Sequence, residues 1–190
     1  MATTKIPKTG RIGRFAKIIE KEVGENILLK VMQNSDKYAS LNASEKSSWW
    51  MSAVEKLVNE VVRDKTENIM RLCGQKCCGQ GIRKTAKRLM SESKSVEEFL
   101  GKASTDGLKE GEVEYKLRDN NTIIGTFYRC FCKQVSQAKP LSKNLTYCQC
   151  SAEFHKQYFE AALEKPVEVD ITQSIINGAK TCIFIIHIWK

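Results

Sequence analysis

A chain of 190 residues with 42% hydrophobic and 28% charged residues, 3 prolines and 11 glycines has the size and make-up of one folded domain. These values exclude a disordered, collagenous or low-complexity protein. The net charge of +9 is compatible with nucleic acid, an anionic membrane surface or acidic small molecules, but the basic residues are spread as on a solvated face.

A chain this long buries roughly 70% of its unfolded surface, so stability needs no disulfides. No apolar run approaches the ~20 residues of a membrane helix, and the opening MATTKIPKTGRIGRF lacks the apolar centre of a secretory signal. The expectation is a cytoplasmic protein with no membrane partner.

The first third reads as helix. IGRFAKIIEKEVG places Ile12, Phe15, Ile18, Ile19 and Val23 at helical spacing, and Gly24 is a helix stop before ENILLKVMQNSD. Asn42 followed by Glu45 is an N-cap signature. From there a stretch of nearly thirty residues without Pro or Gly predicts one long helix over 48–73, with a stripe of Trp50, Val54, Leu57, Val61 and Ile69. Gly74 is read as its end. CGQKCCGQG is a glycine-rich turn, and IRKTAKRLMSES a further helix with Arg83, Lys84, Lys87 and Arg88 on its wet side. No aromatic residues interleave with these cations, so a nucleic-acid stacking surface is not expected. Ser95 caps a short helix over EEFLGKA.

The pattern changes near residue 111. EVEYKLRD and TIIGTFYRCFC, separated by Asn120-Asn121, predict a β-hairpin that carries Cys130 and Cys132 on one side of a strand. KQVSQAKPLSKN is a polar loop. TYCQC leads into a helix, SAEFHKQYFEAAL, with Ser151 as its cap. VEVDITQSII and AKTCIFIIHIW form a second hairpin about Asn177-Gly178. The fold class is therefore α+β: a single domain over 1–190, with a helical part over 1–105 and a β-β-α-β-β part over 106–190 that builds a small antiparallel sheet with a crossing helix.

Eight cysteines in a cytoplasmic chain are not four disulfides. Seven of the eight lie within four residues of another cysteine, as soft-metal ligation or thiol chemistry requires. Cys148 and Cys150 stand just ahead of a helix N-terminus, which favours thiolates. With Cys182 they form the candidate metal set, and Cys130 and Cys132 are further ligand candidates. Cys73, Cys77 and Cys78 form a candidate redox group flanked by Lys76 and Arg83. Of the two histidines, His155 lies one turn beyond Cys150, so Cys148 or Cys150 with His155 is a candidate nucleophile–base pair, and His187 reads as structural. Trp49 and Trp50 with Phe127 either line a ligand pocket or fill the core.

The segment YCQCSAEFHKQYFEAALEKPVEVDITQSIINGAKTCIFIIHI, with Gly178, Cys182 and Phe184 in its G-x-x-x-C-x-F ending, resembles the closing part of the 4-vinyl reductase domain. The resemblance covers 147–188. It implies a ligand-binding fold shared with haem nitric-oxide sensors and a Golgi-tethering subunit, and a small aromatic ligand held near a cysteine zinc site. Carried over, it assigns Cys148 and Cys182 as zinc ligands. The family's further cysteine is replaced here by Ser174, and Cys150, Cys130 or Cys132 is available in its place. The helical half resembles bacterial cysteine-rich proteins that share this ending.

The expected function is small-molecule binding or sensing, with a small hydrophobic or aromatic partner, around a cysteine–zinc site. An iron–sulfur cluster is the second metal choice. The alternative is a cysteine-dependent hydrolase or reductase of a small organic acid. A homodimer is left open.

Overall fold

The computed structural model describes residues 5–137, 142 and 144–189. Among these, six helices precede the first strand: α1 (Gly10–Val23), α2 (Glu25–Val31), α3 (Ala43–Glu60), α4 (Arg63–Gln75), α5 (Gln80–Ser91) and α6 (Val96–Thr105). There follow β1 (Val113–Asp119), β2 (Thr122–Phe127), α7 (Gln149–Leu163), β3 (Val167–Gln173) and β4 (Cys182–Ile188). The chain is α+β, as its patterning predicts.

Local sequence explains most boundaries. Asn42 and Glu45 form a full capping box at the start of α3: the Asn42 side chain accepts from the Glu45 amide at 3.0 Å, and the Glu45 carboxylate accepts from the Asn42 amide at 2.8 Å. Ser95 caps α6 by accepting from the Glu98 amide. Gly24, with φ of 83° and ψ of 173°, takes a positive-φ conformation open mainly to glycine, which stops α1.

The predicted single helix over 48–73 is instead two helices. Val61 and Val62 adopt extended backbone angles between α3 and α4. Both are β-branched and poor helix formers, and Val62 is exposed, so no packing holds it helical. The Thr66 hydroxyl then donates to the carbonyls of Val61 and Val62 at 3.2 and 3.1 Å, a local alternative to helical bonding. Gly74 does not end α4, which runs on to Gln75.

The four strands form one antiparallel sheet in the order β1-β2-β4-β3. Val167, Val169 and Ile171 of β3 and Cys182, Phe184 and Ile186 of β4 are buried on the inner face, and Glu168, Asp170 and Thr172 face outward. The helix α7 crosses this inner face and also packs on α4 and α5. It therefore joins the two halves of the chain, as does the packing of α6 on β1.

The predicted strand over Cys130 and Cys132 is not formed. Phe127 pairs with Val113, the first residue of β1, and with Cys182, the first of β4. Both neighbouring strands end there, and after one more backbone bond, from the Tyr128 amide to the Glu112 carbonyl, the two cysteines lie in the loop that follows. Of the polar loop KQVSQAKPLSKN, positions 138–141 and 143 lie outside the described residues.

Candidate functional site

The site is built around the start of α7. The helix is preceded by a 3-10 turn, Thr146–Cys148, so Cys148 rather than Ser151 occupies the cap position and Cys150 sits in the first helical turn. Two residues along a helix turn through about 200°, so neighbouring thiols of this spacing point to opposite sides.

On one side, the Cys148 Sγ lies 3.2 Å from the Ser174 hydroxyl, which lies 3.4 Å from the Cys182 Sγ. The Ile175 amide also donates to Cys182. Cys130, Cys148, Ser174 and Cys182 line one small recess of about 60 Å³, together with Tyr147 and Phe127. Burial pushes the Cys148 thiol up, against the opposing hydrogen bond from Ser174, and burial pushes Cys130 up to about 11. The favourable helix end is thus outweighed by desolvation, and both groups are neutral thiols in the metal-free chain. Among the described residues, no three His, Cys, Asp or Glu side chains stand together as ligands of one metal ion.

On the other side, Cys150 meets Arg11 of α1. The Arg11 Nη2 is 3.5 Å from the Cys150 Sγ and its Nη1 is 3.9 Å from the Cys132 Sγ. Cys132 is also hydrogen-bonded to the Tyr147 hydroxyl at 3.4 Å. Burial pushes Cys150 up to about 12, against the pull of Arg11. Cys77 and Cys132 share with Cys150 a recess of about 280 Å³ walled by Phe131 and Phe154. The sequence-predicted trio is therefore divided: Cys148 and Cys182 are joined through Ser174, and Cys150 belongs to the arginine side. Cys130 faces the first recess, and Cys132 touches both.

The third feature is a half-open cavity of about 330 Å³ bordered by α5, α6, α7, β1 and β2, with the Asp106 carboxylate on its lining. Its walls are largely aromatic, with Tyr115, Phe127, Phe131, Phe154 and Tyr158 around His155. The His155 ring is buried and stacks on Phe184 at 4.1 Å, with Phe127 edge-on at 5.0 Å. Its Nδ1 lies 2.6 Å from the Ser151 carbonyl, which can only accept, so Nδ1 carries the proton. Burial holds the ring's pKa down to about 4. His155 is then neutral at physiological pH, with Nε2 as an acceptor. It is not hydrogen-bonded to Cys148 or Cys150.

The remaining candidates separate from these features. Trp50 is core: its Nε1 donates to the Tyr38 hydroxyl at 2.8 Å and to Gln134 at 3.1 Å, and its ring packs on Phe15. Trp49 donates to the Gln33 carbonyl and packs edge-on to Trp50. Only Phe127 of that trio lines the aromatic cavity. Burial pushes Cys73 up to about 12 and Cys78 up to about 11, and Cys77 is the partly exposed member of its group. His187 lies 3.2 Å from Asp170 on the sheet. A broader groove of about 970 Å³ beside α5 and α7 contains no cysteine or histidine among the described residues. Sequence reasoning missed Arg11, Phe131 and Phe154, which lie in ordinary amphipathic or loop stretches with no motif to mark them.

The model of a family of unknown function, DUF6144, matches residues 12–190. No curated protein matches the chain. Among solved structures, a point mutant of an H-NOX protein from K. algicida, in its Fe(II) unliganded form, is 11% identical with a TM-score of 0.54, over 95% of both chains. That likeness shows a shared fold. An H-NOX protein from S. oneidensis in the Fe(II)NO ligation state is 12% identical, with a TM-score of 0.47 over 95% of this chain and 98% of that one. A trafficking protein particle complex subunit 3 from Naegleria fowleri, covalently bound to palmitic acid, is 12% identical, with a TM-score of 0.45 over 77% of this chain and 96% of that one.

Proposed function

The chain belongs to the DUF6144 family, and we propose that it is a small-molecule binding or sensing domain whose ligand occupies the aromatic cavity around His155. The observation that carries this reading is the cavity itself. At about 330 Å³ it is within the usual size of a small-ligand site, and it sets a lone neutral imidazole among aromatic rings. A compact ring-bearing compound fits these walls, and a ligand hydroxyl would donate to His155 Nε2. The fold shared with the K. algicida protein supports the reading, since that protein carries Fe(II) on the same architecture.

The test is a thermal-shift titration with phenol, a cresol and toluene. Ligand binding raises Tm by mass action, by an amount corresponding to about 2.7 kcal/mol at a hundredfold excess over Kd. Replacing Ala103, on the cavity wall, by Phe fills the space and should abolish the shift. No shift with any of the three compounds in the wild-type chain refutes the reading.

The finer part of the proposal is a zinc ion in the recess of Cys130, Cys148 and Cys182. The residues fit by chemistry: these three thiols, that of Cys132 and the Ser174 hydroxyl border one small space, and thiolates are preferred zinc ligands. The resemblance of this ending to the 4-vinyl reductase domain supports the same position. The protein would supply the ligands after loss of their thiol protons, and a bound ion would supply a fixed point joining the loop, the start of α7 and the last hairpin.

A further inference from the structure

Arg11 is a partly buried cation without a counterion among the described residues. The other arginines in charged contacts find carboxylates: Arg63 with Glu67, Arg88 with Glu92 and Asp106, Arg118 with Asp119, and Arg129 with Glu112. Arg71 donates to the Val169 carbonyl. Arg11 has no such acidic partner among the described residues: its two terminal nitrogens hydrogen-bond to the sulfurs of Cys132 and Cys150, and its guanidinium carbon stands 5.8 Å from the centre of the Trp50 ring, neither of which is an anion. Sulfur is a weak acceptor. A guanidinium so placed has lost water without gaining an anion, which is costly unless something else supplies the charge.

The surroundings say what that anion is. The recess beside Arg11 holds about 280 Å³, has Phe131 and Phe154 as walls, and is bordered by the thiols of Cys77, Cys132 and Cys150. No second cation lines it among the described residues. One guanidinium presents a planar pair of donors that matches a carboxylate, whereas a phosphate dianion calls for more positive charge. The two rings match an apolar body of a few carbons. Cys132, half-buried in the loop after β2, faces this space with Arg11 beside it.

We propose that Arg11, Cys132 and Cys150 form a carboxylate-binding thiol site for a small organic acid, beside the aromatic cavity and sharing the Phe131 and Phe154 walls with it. The acid's carboxylate pairs with Arg11, replacing the weak contacts to sulfur. Its carbon chain rests between Phe131 and Phe154, and its next carbon lies against the Cys132 thiol.

A probe that combines a carboxylate with an electrophilic carbon tests this directly. Iodoacetate and the neutral iodoacetamide alkylate the same sulfur: the S–C bond forms, iodide leaves, and the thiol proton passes to solvent. In the folded wild-type chain, peptide mapping by mass spectrometry should find Cys132 alkylated with an iodoacetate-to-iodoacetamide rate ratio about tenfold or more above that of a free cysteine peptide. Benzoate should slow the iodoacetate reaction, and inorganic phosphate at equal concentration should not. Arg11→Gln should return the ratio to that of the peptide, and Arg11→Lys should retain part of it, with circular dichroism reporting the fold of each. If Arg11→Gln does not fold, Arg11→Lys and the benzoate competition decide. A wild-type ratio equal to the peptide's, an unchanged ratio in folded Arg11→Gln, or equal protection by phosphate overturns the proposal. The alkylation ratio and its loss in Arg11→Gln are read with no ligand in the His155 cavity, so either reading can fail alone.

Discussion

His155 is neutral in the folded chain because it is buried among the rings of Tyr115, Phe127, Phe154 and Phe184. Its pKa falls from the ordinary 6.5 to about 4. The sign of the consequence follows from linkage. Between those two values the unfolded chain binds a proton that the folded chain refuses, so stability rises with pH across that window and is lost as pH falls from 6.5 towards 4. The full loss is about 3 kcal/mol, and about 2 kcal/mol of it is gone by pH 5. Urea midpoints at pH 7.5 and pH 5.0, compared with those of His155→Phe, isolate this one group from the carboxylates. The variant should lose about 2 kcal/mol less than the wild-type chain on acidification. Equal losses in the two proteins would mean that the imidazole is not held neutral. Cys148 and Cys150 carry a related lesson. A helix N-terminus in the sequence predicts thiolates, but the sequence contains no measure of depth, and in the structure depth decides.

Helix α4 approaches α7 closely enough that a Cβ on Gly74 would strike the Cys150 carbonyl and come within 2.8 Å of the Glu153 Cβ and 2.9 Å of the Cys150 Cα. Glycine is normally a weakness inside a helix, costing about 1 kcal/mol relative to alanine. At Gly74 that cost is accepted so that two backbones can meet beside the thiols. Gly74→Ala should therefore destabilise by about 1–3 kcal/mol, as overpacking does, a drop of about 2–4 °C in Tm for each kcal/mol in a chain of this size. Gly101 in α6 has open space where its Cβ would lie, so Gly101→Ala should raise Tm through helix propensity. The same substitution thus has opposite signs at two helical positions, and calorimetry of both variants checks it. The sequence reading treats Gly74 as a helix end, because a glycine needed for a close approach looks the same in sequence as one needed for a turn. Local signals were legible where their cause is local: the Asn42–Glu45 box, the Ser95 cap, and the positive φ of 93° at Gly178 between β3 and β4, although β3 ends at Gln173 and Ile175–Asn177 form a 3-10 turn in place of the predicted strand end. The end of β2 at Phe127 depends on what lies opposite, so the chain pattern did not display it, and the break at Val61-Val62 turns on the exposure of Val62, which the stripe of Val61 and its neighbours hid.

The recess of Cys130, Cys148 and Cys182 draws on three places that are far apart along the chain: the loop after β2, the start of α7 and the first residue of β4. The sequence showed the thiols as clusters, yet the pairing that matters, Cys148 with Cys182 through Ser174, spans 34 positions and appears only when α7 has crossed the sheet. A metal ion at such a junction acts on the whole molecule, because the unfolded chain presents no preformed site and the binding free energy becomes folding free energy. Ser174 makes the proposed site weaker than a full thiolate set, since a hydroxyl is a poorer zinc ligand than a thiolate. Three linked outcomes follow. Purified protein should contain about one zinc by elemental analysis, and a chelator should remove it with a fall in Tm. Cys182→Ser should lower metal content and Tm together, whereas Ser174→Cys should retain zinc at chelator concentrations that strip the wild-type chain. Cys150→Ser should leave metal content unchanged, because Cys150 faces Arg11 on the opposite side of α7. If Tm is the same with and without zinc, or if Cys150→Ser loses the metal as readily as Cys182→Ser, the ion does not sit at this junction, and the Cys148–Ser174–Cys182 chain is held by its hydrogen bonds alone.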